Sequence, residues 1–116
     1  MSQGRVTKEV AIDILRKVSE EKAFQFYESI DAPIGIAARS LEEFLDLLKS
    51  VKPSSVEFHM ARGDIENWVR MLGDETLARQ IGSLGSKGLP ADELRKRLIL
   101  VTRLRVGRLR KIAASR

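Results

Sequence analysis

A stop followed by a restart recurs along the middle of this chain. Pro53, Gly63-Asp64 and Gly73-Asp74 each interrupt a run of helical periodicity. Glycine accepts the left-handed backbone that ends a helix, and aspartate accepts the free N–H groups that begin the next one. This punctuation confines residues 40–85 to a series of short helices. Ser40 and Glu43 form a capping box, in which Ser40 accepts from the Glu43 N–H while the Glu43 side chain reaches back. The helix they open runs to about residue 51, with Leu41, Phe44, Leu45, Leu48 and Val51 on one face, and Pro53 stops it. Ile65, Trp68, Val69 and Leu72 fall at i, i+3, i+4 and i+7, the spacing of a buried stripe. Leu77, Ala78, Ile81 and Leu84 repeat the pattern in the next helix. Residues 54–61 carry two signals. Val56, Phe58 and Met60 alternate with Glu57 and His59 as in a strand, whereas Pro53 followed by two serines suits a helix start. The residues alone leave strand and helix open.

The flanks differ from this middle. Thr7 can cap a helix over 7–21, in which Val10, Ile14 and Val18 recur every four residues beside Ala11 and Leu15. Residues 23–30 then alternate large apolar with polar side chains and read as a strand. A turn at Asp31-Ala32-Pro33 and a second short strand at 34–37 complete a small hairpin. Residues 82–88 hold three glycines and read as the link to a long helix from about Pro90 to Ala113. The expectation is one domain of 116 residues, long enough for a single core without staples. Its class is mostly α (α+β): a compact helical domain with a small N-terminal β-hairpin and a long basic C-terminal helix.

Composition excludes several functions. There is no cysteine, so neither a disulfide framework nor a thiolate metal site can form. The single histidine, His59, is too little for a typical zinc site. No cofactor is expected. No uncharged run approaches the ~18 residues of a membrane span, and the N-terminus lacks the apolar core of a signal peptide. A cytoplasmic location is expected. The lack of cysteine and the 32% of charged residues also suit a protein stable at high temperature.

The net charge of +5 is unevenly placed. All 16 Asp and Glu lie within residues 1–93, whereas residues 94–116 hold nine Lys and Arg and no acid. Such asymmetry points to an electrostatic partner for the basic end. On the last helix Leu94, Leu98, Val101, Leu104, Leu109 and Ile112 share a broad face. Lys96, Arg103 and Arg110 line the opposite face at a spacing of seven, about 10.5 Å apart along the axis. Arg95 and Lys111 flank that stripe, and Arg105 and Arg108 intrude on the apolar side. The ordinary reading is a packed helix with a solvated basic face. The functional reading makes Arg95, Lys96, Arg103, Arg110 and Lys111 a phosphate-contacting, nucleic-acid-binding stripe. A third reading packs the far half of the helix on another subunit or protein. A membrane surface is disfavoured, because no aromatic residue follows Trp68.

Catalytic constellations are sparse. The chain has no phosphate-binding G-x-x-x-x-G-K-[ST] loop and no G-x-S-x-G elbow. His59, with Glu57 and Asp64 near it in sequence, has the groups of an acid–base site. A lone histidine inside an apolar run is more simply a hydrogen-bonded structural residue, and that reading is preferred. Trp68 belongs to a core stripe. Phe24, Phe26 and Tyr27 carry no interleaved bases and read as core. Arg62-Gly63-Asp64 reads as a helix break.

The strings Phe24-Gln25-Phe26-Tyr27, Ser55 to His59, Arg62-Gly63-Asp64 with Trp68-Val69, and Leu72-Gly73-Asp74 resemble a family of small, mostly archaeal proteins catalogued as a domain of unknown function. The resemblance covers roughly residues 23–110 and implies a helical setting for the histidine segment. It implies no reaction. The function expected is a non-enzymatic binding module that docks on nucleic acid or a ribonucleoprotein such as the ribosome. The alternative is a protein-interaction or oligomerisation subunit, with a protein partner or a second copy on the same helix.

Overall fold

The computed structural model describes residues 6–115. Residues 1–5, on which the expectation of no targeting segment rests, lie outside that range, as does Arg116. The elements run α1 (Lys8–Leu15), β1 (Phe24–Tyr27), β2 (Pro33–Ala38), α2 (Leu41–Leu48), α3 (Pro53–Arg62), α4 (Asp64–Leu72), α5 (Glu75–Gly85) and α6 (Ala91–Ala114). A single 3-10 turn, Glu20–Lys22, precedes β1. The mostly helical class, the small N-terminal hairpin and the long last helix are all observed. None of the helices in the described residues is long and apolar enough to cross a membrane.

Local chemistry sets the boundaries. Thr7 caps α1, its Oγ1 accepting from the Val10 N–H at 3.1 Å. The helix ends at Leu15, well short of residue 21. There Arg16 turns back, its Nη1 donating to Asp13 O at 2.6 Å and to Leu72 O at 3.0 Å. The chain beyond is extended. The Val18 N–H donates to Arg39 O at 2.7 Å, and Arg39 Nε donates to Val18 O at 2.9 Å. Val18 is therefore buried from an extended segment, while Val10 faces solvent. β1 and β2 pair antiparallel, with Phe24 opposite Ala38 and a register shift between Gln25 and Tyr27. In the capping box the Ser40 Oγ accepts from the Glu43 N–H at 3.1 Å. The Glu43 carboxylate reaches one residue further back, to the Arg39 N–H at 2.8 Å. That backbone donor, opposed by desolvation and aided by Lys17, holds the Glu43 carboxyl below its usual pKa.

Residues 54–61 are helical, with Pro53 in the first turn of α3. Val56 and His59 are buried while Phe58 and Met60 are partly exposed, so the alternation in sequence does not mark one face. Gly63 closes α3 with a left-handed φ of 76° and also occupies the cap position of α4. Asp64, expected as that cap, is instead the first residue of α4. Its carboxylate is drawn sideways, to His59 Nδ1 at 2.9 Å and to Arg62 Nε at 3.1 Å. Gly73 and Asp74 behave as read: Gly73 is left-handed, and Asp74 Oδ1 accepts from the Leu77 N–H at 3.0 Å. The glycine-containing link expected over 82–88 is narrower, because α5 continues through Gly85. A Cβ on Gly82 would stand 3.0 Å from a carboxylate oxygen of Glu66 on α4, and one on Gly85 would stand 3.4 Å from the Met60 methyl. These glycines let helices approach each other; they do not loosen the chain.

The core joins all six helices to the hairpin. At its centre Phe26 stacks on Phe44 at 5.7 Å, and Phe24 meets Phe44 and Trp68 edge-on. His59 lies against these rings with 3% of its surface exposed. Its Nε2 accepts from the Tyr27 N–H at 2.9 Å, which places the ring proton on Nδ1, facing Asp64. Both ring nitrogens are thus committed, one tying α3 to β1 and the other α3 to α4. His59→Gln is expected to destabilise the fold by about 1–3 kcal/mol, the usual cost of orphaning a buried backbone donor. Urea denaturation checks this, and a midpoint equal to wild type would contradict the structural role.

Candidate docking surface

α6 packs against α1, α2, α3 and α5. Its buried residues are Leu94, Leu98, Thr102, Val106 and Leu109. The inward face is therefore rotated from the one expected: Thr102 and Val106 lie within it, and Leu104 lies outside. Arg105 lies on that inward face too. Its guanidinium, 10% exposed, makes a two-pronged contact with the buried Asp74, Nε to Oδ2 at 2.7 Å and Nη2 to Oδ1 at 2.9 Å. The residue that seemed to intrude on the apolar side is the bolt between α6 and the start of α5.

The five expected phosphate contacts fare differently. Arg95 is half-buried, and its Nη1 donates to Leu48 O at 2.9 Å and Lys49 O at 3.1 Å. It closes the C-terminus of α2, where the carbonyls lack helical partners, and it does not join an exposed stripe. Arg110 is exposed but pairs with Glu42 of α2, whose carboxylate holds the guanidinium charged more firmly than usual. Lys96, Arg103 and Lys111 are exposed and make no ion pair among the described residues. Arg108 shares that state. Arg97 pairs with Glu93 one turn back, at 3.0 Å. About half the positive charge of α6 is thus spent within the protein.

The same outer face carries a feature that the sequence reading missed. Leu100 and Leu104 are 45% and 65% exposed. They border a groove of about 470 Å³ between α5 and α6, floored by Leu84 and Val101. Arg79, Lys87 and Arg97 stand around it, and no acidic side chain lines it. Gly107 continues the face, and a Cβ there would meet nothing. An interior helical glycine costs roughly 1 kcal/mol relative to alanine, and here internal packing does not require it. The signal that could have revealed the groove was Leu100 and Leu104 four residues apart, off the Leu94–Leu98–Leu109 stripe.

Among the described residues no group of three or more His, Asp or Glu is placed to hold a metal. No curated protein and no solved structure matches the chain. A family of unknown function, DUF5752, matches residues 6–103. The match begins earlier than the resemblance over 23–110 suggested, taking in α1, and stops near the middle of α6. Leu104, Gly107, Arg108, Arg110 and Lys111 lie beyond it. With the hairpin, five helices and half of the sixth inside the matched span, the chain belongs to the DUF5752 family of unknown function.

Proposed function

We propose that this protein is a non-enzymatic interaction module of the cytoplasm whose α5–α6 face receives an acidic, amphipathic segment of a partner protein. The observation that carries the reading is the pairing of exposed leucines with a border whose charged residues are all basic. Leu100, Leu104 and the groove floor offer apolar area to a partner helix laid along them. Lys87, Lys96, Arg103 and Lys111, which make no ion pair among the described residues, select acidic residues at its edges and steer the encounter, whereas Arg79 and Arg97 are paired with Glu75 and Glu93. A second copy of the same face is disfavoured by like charge. A phosphate backbone would use the bases and leave Leu100 and Leu104 unused. The nucleic-acid reading keeps one specific support, the four bases Lys96, Arg103, Arg108 and Lys111 that carry no internal ion pair among the described residues.

One titration separates the two. The protein is mixed with a helical peptide bearing leucines at i, i+3 and i+7 and glutamates elsewhere, and separately with random-sequence DNA and RNA, at about 50 and 200 mM salt. Peptide binding is expected, and replacing Lys96, Arg103 and Lys111 together by Glu should weaken it about tenfold while leaving the melting temperature unchanged. Nucleic-acid binding with a steep salt slope, and no peptide binding, overturns the proposal in favour of the phosphate stripe. Binding of neither overturns both.

A further inference from the structure

An open pocket of about 550 Å³ is lined by β1, the turn that follows it, α3 and α4. Tyr27, Phe58 and Trp68 give it aromatic walls, and Gln25, Asp31, Arg62, Asp64 and Asn67 give it polar ones. We propose that this cavity binds a small, neutral, hydroxyl-rich molecule of the sugar class. The volume lies within the range of ligand pockets, about 300–1,000 Å³.

The walls are fixed before any ligand arrives. Trp68 Nε1 donates to Lys22 O at 2.8 Å, and His59 is held at both nitrogens. These two rings are held in place, so this part of the wall needs little reordering on binding. The charges are already balanced around Asp64, which accepts from His59 and Arg62, while the Arg62 guanidinium lies over the Phe58 ring at 5.2 Å. An anion entering the cavity meets two carboxylates, and a cation meets Arg62. A flat apolar ligand would bury the amides and carboxylates without partners, which is costly. A sugar ring matches both halves of the wall. Its C–H face can lie on Tyr27, the partly exposed ring of the wall, beside the Phe58 ring that Arg62 already covers, and each hydroxyl both donates to a carboxylate or amide oxygen and accepts from a guanidinium or amide N–H.

Asp31 is the second observation. It sits at the mouth of the cavity with φ of 63°, the one non-glycine residue of positive φ among those described. Aspartate tolerates that region better than most residues, but glycine is favoured there. The conformation belongs to the turn between β1 and β2, closed by the Ala32 N–H donating to Ser29 O at 3.1 Å, a setting aspartate suits. The Asp31 carboxylate makes no ion pair or side-chain hydrogen bond among the described residues, so it is free to accept from a ligand hydroxyl.

Trp68 is the only tryptophan and lines the cavity, so its emission reports occupancy directly. Glucose, galactose, mannose and maltose are titrated into the intact protein, with inorganic phosphate and choline chloride as charged controls. A saturable change in emission is expected with at least one sugar and with neither control. Asp31→Gly should weaken that sugar about tenfold, the loss of roughly one hydrogen bond to a charged group, while the melting temperature stays level or rises. Asn67→Ala, at another lining residue, should weaken it without changing the thermal midpoint. Silence with all four sugars, saturation by phosphate or choline, or full affinity in Asp31→Gly overturns the proposal. None of these results bears on the α5–α6 face, which makes a separate claim.

Discussion

Asp74→Ala should cost about 3–5 kcal/mol, the loss seen when one partner of a buried ion pair is removed and the other charge is left uncompensated. Asp74 is 1% exposed and holds three donors: the Leu77 N–H and two nitrogens of Arg105. Alanine removes the α5 cap as well as the charge that balances Arg105. Small domains are stable by only about 5–15 kcal/mol, so this one change would consume a large part of the total. Replacing Asp74 and Arg105 together by leucine should cost less than Asp74→Ala alone, because no buried charge is then orphaned. Urea denaturation followed by circular dichroism measures both. A loss below about 1 kcal/mol for Asp74→Ala would mean that Arg105 finds solvent when unpaired.

Trp68→Ala is the second large effect, about 3–5 kcal/mol. The indole is 8% exposed, meets Phe24 and Phe44 at 5.6 Å each, and donates to Lys22 O. Truncation would open a void between α4 and the hairpin and free the carbonyl that anchors the turn before β1. Trp68→Phe should lose less, since most of the ring contact survives. The reading depends on an indole shielded in the folded protein. Emission at a water-exposed wavelength, or a cost near zero for Trp68→Ala, would place residues 64–72 on the wrong face.

Sequence legibility followed the range of the interactions. Caps and breaks act within four residues, so Thr7, Ser40, Gly63, Gly73 and Asp74 could be read directly, and the stripe Ile65, Trp68, Val69 and Leu72 followed from period alone. Failures came where a distant group decided the outcome. Arg16 ends α1 by bonding Leu72 O, far along the chain. Gly82 is a close-packing residue because Glu66 stands against it. The largest difference was on α6, where the inward face also holds a long-range pair, Arg105 with Asp74. Leu104 faces outward and Thr102 and Val106 inward, while Arg95 reaches the end of α2. A helical wheel weights charge as outward-facing, and it has no means of recognising a buried arginine.

The account's central claim is that the outward turn of Leu100 and Leu104 makes a docking face. The measurement that tests it most directly is the affinity of the double variant Leu100→Ser, Leu104→Ser for the acidic amphipathic peptide. Both side chains are exposed, so serine costs the fold only about 0.5 kcal/mol each in helix propensity. The account predicts a melting curve close to wild type and affinity reduced at least tenfold, with about 1.4 kcal/mol corresponding to each factor of ten. Affinity equal to wild type in a folded double variant would contradict it, and would leave the surface bases alone to explain any binding.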